Sequence, residues 1–218
     1  MTLDFAVVLA QWPIFLRGLW LTCALTVVMT LFGTLLGIAC AWARVNGSKW
    51  LGMAVGVYVE IFRNTPFILQ LFFIFFGLPS LGLKLDPVAA SIVALVLDLG
   101  AYSSEIIRAG LEATPRSQIE AAQSLALTRW QTFTRVVLPP SLSRVWPALV
   151  SQIIIVMLVS AICSQISTRE LSYSADLISS RTFHSFESYL VATALYLGLA
   201  ILLRQVLNWV GPRFIFGR

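Results

Sequence analysis

The feature that most constrains this chain is the length of its apolar stretches. Five of them, at residues 15–43, 51–78, 87–107, 139–163 and 189–210, are long enough to cross a hydrocarbon layer as helices, which takes about 20 mostly apolar residues each. Their sum explains a composition that is 58% hydrophobic and 11% charged, far from the roughly 25% charged residues of a soluble domain. A 218-residue globule could not enclose that much apolar surface. The alternating ten-residue pattern of a membrane barrel is absent, so helices must satisfy the backbone inside the lipid. The expected fold is an all-α polytopic membrane protein of about five spans, forming one domain over residues 1–218.

Charge sets the expected orientation. The formal charge of +5 suits a nucleic-acid ligand only if the basic residues gather on one face, and here they follow topology instead. Arg44, Lys49, Arg108, Arg116, Arg129, Arg135, Arg144, Arg204, Arg213 and Arg218 fall on one side of the predicted spans. The other side carries Arg17, Lys84, Arg169 and Arg181 with a comparable number of acids. The positive-inside bias then puts the amino terminus outside and the carboxyl terminus in the cytoplasm. Met1-Thr2-Leu3-Asp4 lacks the basic start of a cleavable signal, so the first span is expected to stay as an anchor. Cys23, Cys40 and Cys163 all fall in spans and read as packing residues, with no metal-ligand spacing.

Within the spans, Gly33 and Gly37, and likewise Gly52 and Gly56, have the four-residue spacing that lets helices approach closely. The second span is interrupted. Glu60 and Arg63 precede Thr65-Pro66, where a kink or break is expected, so the residues up to Phe62 can lie along the interface with the crossing starting near Pro66. Three apart on one face, Glu60 and Arg63 can pair with each other or reach toward water.

The connection between the third and fourth spans, residues 109–138, is too long and too patterned for a plain turn. Ser117 and Glu120 fit a capping box that starts a short helix at Gln118. Thr128 and Gln131 repeat the signal, and Leu138-Pro139 marks a further break. Ile119, Ala122 and Ala126 form one stripe of that first helix, with Ala121 beside it, small enough to admit another surface. Spacing alone equally allows a hairpin packed back on its own spans.

Asp98 lies near the middle of the third span, where a charge is expensive and by default functional. It is a candidate for the ammonium group of a substrate, with Glu105 and Tyr102 on the same helix, and Ser151 and Gln152 on the fourth span as further polar groups. Ser103, Ser104 and Ser160 can serve the same path or bond carbonyls within their own helix. An acid that only holds helices together is the competing reading of Asp98. His184, among Arg181, Ser185 and Glu187, reads as solvated surface in the connection 164–188.

Glu120-Ala121-Ala122, Ala126 four residues on, and Val136-Val137-Leu138-Pro139 after nine more resemble the EAA loop of permease subunits of type I ATP-binding-cassette importers. That family has glycine where Ala126 stands and isoleucine where Val136 stands. Glu60-Ile61-Phe62-Arg63-Asn64-Thr65-Pro66, Gln70-Leu71-Phe72-Phe73 and Gly77-Leu78-Pro79, with Ala101-Tyr102, Glu105, Arg108, Gly110 and Gln118, resemble its polar amino-acid branch, for histidine, glutamine, glutamate or arginine. Asn64 and Ser117 also stand where glycine is usual.

The resemblance implies that Gln118, Glu120, Ala121, Ala122, Ala126, Leu138 and Pro139 couple the chain to a pair of ATP-binding subunits through a cytoplasmic coupling helix. It implies a second permease chain, an external substrate-binding protein, an amino-acid substrate, and a bacterial inner-membrane location. The chain itself has no Gly-x-x-x-x-Gly-Lys-Ser/Thr loop, so ATP and magnesium are expected on the partner, and no cofactor, metal or catalytic residue on this chain. Two rival classes remain open on residues alone: an ion-gradient-driven transporter, which also uses broken helices and a buried carboxylate, and a membrane scaffold.

Overall fold

The computed structural model describes residues 3–215; Arg218 lies outside the described residues. Every element among them is helical. After a short α1 (Phe5–Leu9), α2 (Trp12–Asn46), α5 (Pro87–Glu112), a continuous rod over Arg129–Ile166, and a rod over Ser185–Arg213 are each long and apolar enough to cross a membrane. The expected fifth crossing is a pair, α3 (Lys49–Arg63) and α4 (Phe67–Phe72, extended by tighter and wider turns to Leu81), bent by 110°. The chain is therefore a multi-pass membrane protein whose second crossing is broken.

Pro66 causes the break, and the residues around it make it tolerable. A proline cannot donate, and its backbone here is extended, so the last carbonyls of α3 lose their helical donors. Side chains replace those donors. Thr65 Oγ1 donates to the Ile61 carbonyl at 2.7 Å and Gln70 Nε2 to the Phe62 carbonyl at 2.8 Å, while the Glu60 carbonyl keeps its helical donor, the Asn64 amide at 3.1 Å, and gains Asn64 Nδ2 at 2.9 Å. Where lipid offers no water, such replacement is obligatory. Asn64, standing where the family carries glycine, has an ordinary negative φ of −110° and adds a side-chain donor to the Glu60 carbonyl. Glu60 accepts from Asn64, and no ion pair between Glu60 and Arg63 is found among the described residues, so the alternative of a pair on one face is not realised.

At the centre of the bundle stands α5, with its buried side against α2, α8 (Leu138–Val159) and α3. Gly33 and Gly37 serve the close approach expected of their spacing. A Cβ on Gly33 would fall 2.9 Å from the Leu99 Cβ, and one on Gly37 would fall 2.6 Å from the Ser103 Cβ. The second pair does not pack: nothing lies within 4 Å of a Cβ placed on Gly56, and only Arg44 approaches that of Gly52, at 3.9 Å. The reason is that α3 turns this side away from the bundle, along with exposed Trp50, Met53 and Val57.

The connection 164–188 is not a plain polar connector. It folds as α9 (Leu171–Thr182), whose Leu171, Ala175 and Ile178 are fully buried with Val8 and Phe15. Glu170 caps α9, accepting from the Ser172 and Tyr173 amides, and Tyr196 of α10 (Ser185–Val210) donates to it. Burial pushes the Glu170 carboxyl above its ordinary pKa in spite of these donors. His184 is half-buried rather than free in solvent, its Nδ1 2.7 Å from the Thr182 carbonyl.

The glycine contrast is testable. Gly37→Val should cost about 1–3 kcal/mol, the usual range for overpacking a closed interface, whereas Gly56→Val should stay within about 0.5 kcal/mol. Thermal unfolding of the two variants in the same detergent compares them directly, and equal melting midpoints would refute the packing assignment.

Candidate functional site: the exposed loop helix and the polar face of α5

The connection between α5 and α8 contains α6 (Arg116–Ser124) and the short turn α7 (Arg129–Gln131). Its start differs from expectation. Pro115, extended at ψ 137°, takes the N-cap position without a side-chain bond, so α6 begins at Arg116 and Ser117 lies inside its first turn. No capping box forms with Glu120. The second signal is realised: Thr128 Oγ1 accepts from the Gln131 amide at 3.3 Å, and Gln131 Oε1 accepts from the Thr128 amide at 2.9 Å.

No break follows at Leu138-Pro139. Thr132–Val137 widens into a π-helical stretch that runs straight into α8, and the two prolines sit in the first turn of α8, where a missing amide is cheapest. The expected second loop helix is thus the leading end of the 38-residue Arg129–Ile166 rod.

Of the two readings of the α6 stripe, the one packed back on the chain's own spans holds for Ile119 and Ala122. Ala122 is buried at 3% exposure and Ile119 is half-buried, so this part of the stripe faces the protein's own body, while Ala126, beyond the end of α6, does not. The opposite side presents Gln118, Ala121 and Leu125, with Glu120 and Ala126 also exposed. Leu125, just past the end of α6, is 76% exposed. Nearby Trp130 is also open to solvent on one side, its ring 6.1 Å from that of Trp42 and 5.9 Å from that of Phe133. The reading from sequence missed both apolar residues, because neither obeys the period of a helix face.

The turn after α6 is left-handed at Ala126, φ 54°. Alanine thus adopts the conformation in which the family has glycine, against a cost of about 1–2 kcal/mol for a Cβ in that region. The adjoining bonds hold it there: the Ala126 amide donates to Gln123 at 2.9 Å and the Leu127 amide to Ala122 at 3.2 Å. Ser117, inside a helix, has no such demand.

Behind α6, the ends of α5 and α8 are locked. A Cβ on Gly110 would fall 2.7 Å from Val145 Cγ1, Thr114 and Ser141 hydroxyls pair at 3.1 Å, and Arg144 donates to the Gly110 carbonyl at 3.3 Å. These contacts join the ends of α5 and α8 immediately behind α6.

Asp98, Tyr102 and Glu105 fall on one face of α5, as their spacing requires. Asp98 is only 6% exposed, and its carboxylate has no hydrogen bond or ion pair among the described residues. Ser103 and Ser104 hydroxyls are likewise buried and unpartnered. Glu105 is surrounded. Arg44 at the end of α2 donates to it directly, Arg108 Nη2 lies 2.8 Å away, and Arg63 at the end of α3 lies 3.9 Å away with its guanidinium over the Tyr102 ring. Arg108 also pairs with Glu112 at 2.6 Å. This constellation ties α2, α3 and α5 at one end, and only its Glu105–Arg108–Glu112 part could be read from helical spacing. Ser151 lies on an exposed side of α8, donating to the Pro147 carbonyl at 3.1 Å, with Gln152 half-buried beside it. No hydrogen bond joins them to the α5 residues. Among the described residues no three His, Cys, Asp or Glu side chains could hold a metal ion.

The family described as the binding-protein-dependent transport system inner membrane component matches residues 33–216. The chain belongs to that family. The arginine transport system permease protein ArtQ of Bacillus subtilis is 33% identical over 204 residues, covering 93% of each chain. The L-cystine transport system permease protein TcyB of the same organism is 34% identical over 203 residues, covering 93% of this chain and 87% of its own. A chain from a crystal structure of an amino acid ABC transporter with histidines superimposes with a TM-score of 0.86 at 33% identity, over 98% of this chain and 100% of that one. Membership decides for an ATP-binding-cassette importer permease over the gradient-driven transporter and the scaffold.

Relief of the Ala126 turn is a direct check. Ala126→Gly removes the left-handed penalty but loosens the unfolded chain, for a net gain of up to about 1 kcal/mol, whereas Ala126→Val should lose stability. Melting midpoints falling in the reverse order would show that the turn is not left-handed in the protein.

Proposed function

We propose that this chain is the permease subunit of an ATP-driven importer of polar amino acids in a bacterial inner membrane, moved through α6 by a separate pair of ATP-binding subunits. The observation that carries the reading is the two-sidedness of α6: Gln118, Ala121 and Leu125 exposed on one side, Ala122 and the locked α5–α8 junction on the other. A short helix so mounted accepts a push and passes it on as a rigid displacement. Relatives named for arginine and L-cystine transport support the substrate class. On this reading the face bearing α6 is cytoplasmic, ATP and magnesium act on the partner, and a binding protein delivers substrate to the other side. Residues 1–218 work as one permease domain, and a second permease chain completes the path that five crossings alone do not enclose.

Cysteines at Ala121 and Leu125 test the coupling, since all three native cysteines are buried or half-buried. Each should crosslink to a nucleotide-hydrolysing chain in native membranes, and Leu125→Glu should lower ATP-dependent uptake at least about tenfold, the effect of losing about 1.4 kcal/mol of contact, with the permease still inserted. Crosslinks that capture no such protein would sink the reading.

For the path, Asp98 and Tyr102 on α5 with Ser151 and Gln152 on α8 are the residues proposed to meet substrate. Glu105, matched by its arginines, acts there as the tie that holds α2, α3 and α5. An unpartnered buried carboxylate is costly unless something cationic visits it. Asp98→Asn should reduce uptake by about tenfold or more, the scale of one charge-assisted contact, while the complex still assembles. Undiminished uptake would leave Asp98 a structural group.

A further inference from the structure

Behind α6 lies a cavity of about 310 Å³, on the side away from Gln118 and Leu125. Its walls are the end of α2 at residues 45–47, the inner side of α6 with Ile119 and Gln123, and the turn that carries Arg129, Thr132 and Phe133. Its lining mixes polar and apolar groups, unlike the mostly apolar cleft bounded by Leu31, Leu35, Ile153 and Val206.

Thr132 marks it as a site. The residue is 7% exposed, lines the cavity, and its hydroxyl has no partner. Thr134, two residues on in the same stretch, satisfies its hydroxyl by donating to the carbonyl four residues back, at 2.8 Å. At Thr132 the equivalent Thr128 carbonyl takes the Thr132 amide at 2.8 Å. A buried hydroxyl left unpaired is costly, so a ligand atom in the cavity would satisfy a group the chain does not.

The remaining chemistry defines that ligand. Arg129 has no ion pair among the described residues and offers a guanidinium to a carboxylate. The end of the 35-residue α2 offers the opposite: carbonyls of its last turn without helical donors, at the negative end of its dipole. Gly47 donates back only to Ala43. Gln123 adds an amide, and Ile119 and Phe133 an apolar floor. A carboxylate, an ammonium and a short carbon stem fit these walls together.

We propose that this cavity binds a free α-amino acid, its carboxylate toward Arg129 and Thr132 and its ammonium toward the end of α2. The identity of the amino acid as the transported one rests on the importer reading; the site itself does not. An occupant bridges α2 to α6 and so stiffens the element that receives the push.

The test titrates the full-length chain in lipid nanodiscs, without a binding protein, with L-arginine, L-glutamine and L-cystine by calorimetry. One of them should bind saturably at millimolar concentration or below. Arg129→Gln should weaken it at least about tenfold, as for loss of a charge-assisted contact of about 1.4 kcal/mol, and Thr132→Val several-fold, whereas Lys84→Gln, at an exposed position before α5, should not. On the wild-type chain, free of any folding question, the methyl ester and the N-acetyl derivative of the same amino acid should both lose most of their affinity. Absence of saturable binding by all three overturns the proposal, as does binding that survives Arg129→Gln undiminished. Uptake measured in parallel separates the two readings: binding without ATP-driven uptake defeats the importer and keeps the site, and uptake without binding does the reverse.

Discussion

The contact between α2 and α5 is the interaction on which the rest of the molecule depends. Lipid cannot drive helices together as water does, because its tails are as apolar as the side chains, so close packing has to hold the spans. Gly33 and Gly37 let α2 lie against Leu99 and Ser103 with no side chain between them. That proximity puts Arg44, at the end of α2, within reach of Glu105 on α5, and so makes the arginine cluster possible. It also leaves the far side of α5 to α8, where Gly110 repeats the same economy of volume against Val145. One central helix thus meets two neighbours at near-backbone distance, and the connection between α5 and α8 inherits the rigidity of both.

The broken second crossing follows from the same constraint. A helix that changes direction by 110° inside or beside lipid must replace the hydrogen bonds it gives up. Thr65 and Gln70 do so locally, while Arg63 anchors the turn from outside by reaching Glu105 and the Tyr102 ring. The break is accordingly a fixed corner rather than a loose joint. Of its polar groups Gln70 is buried, while Asn64 and Thr65 are exposed and satisfied within the turn itself.

What sequence made legible was whatever depends on local period or composition. The crossings, the all-helical class, the corner at Pro66, the cap at Thr128 and the Gly33–Gly37 contact all have local causes, and each is present. The failures share a different cause. Ser117 and Glu120 carry the letters of a capping box, yet Pro115, whose backbone is already extended, stops the turn one step sooner and puts Ser117 inside the helix. Leu138-Pro139 reads as a break only if the preceding turn is α-helical, and the π-helical stretch removes that premise. The inward side of α6 could not be chosen from spacing, since Ile119 and Ala122 suit either surface and only the position of Phe133 and α5 decides. Arg44 lies 61 positions from Glu105, and Arg63 sits on a third helix between them in sequence, so no local pattern joins the three.

Ala126 shows how these levels meet. Its left-handed turn would be easier for glycine, and nothing local compensates within the residue itself. The compensation is in what the turn accomplishes: it ends α6, lets Thr128 start the next helix at once, and aims Arg129 and Thr132 back toward the end of α2. A looser residue at that point would relax the turn, and with it the angle between α6 and the rod that becomes α8. A strained turn beside a locked junction keeps that angle fixed. The two surfaces of α6, one open and one backed by a cavity, are then held in a constant relation to the spans, which is the condition for a small helix to carry motion rather than absorb it.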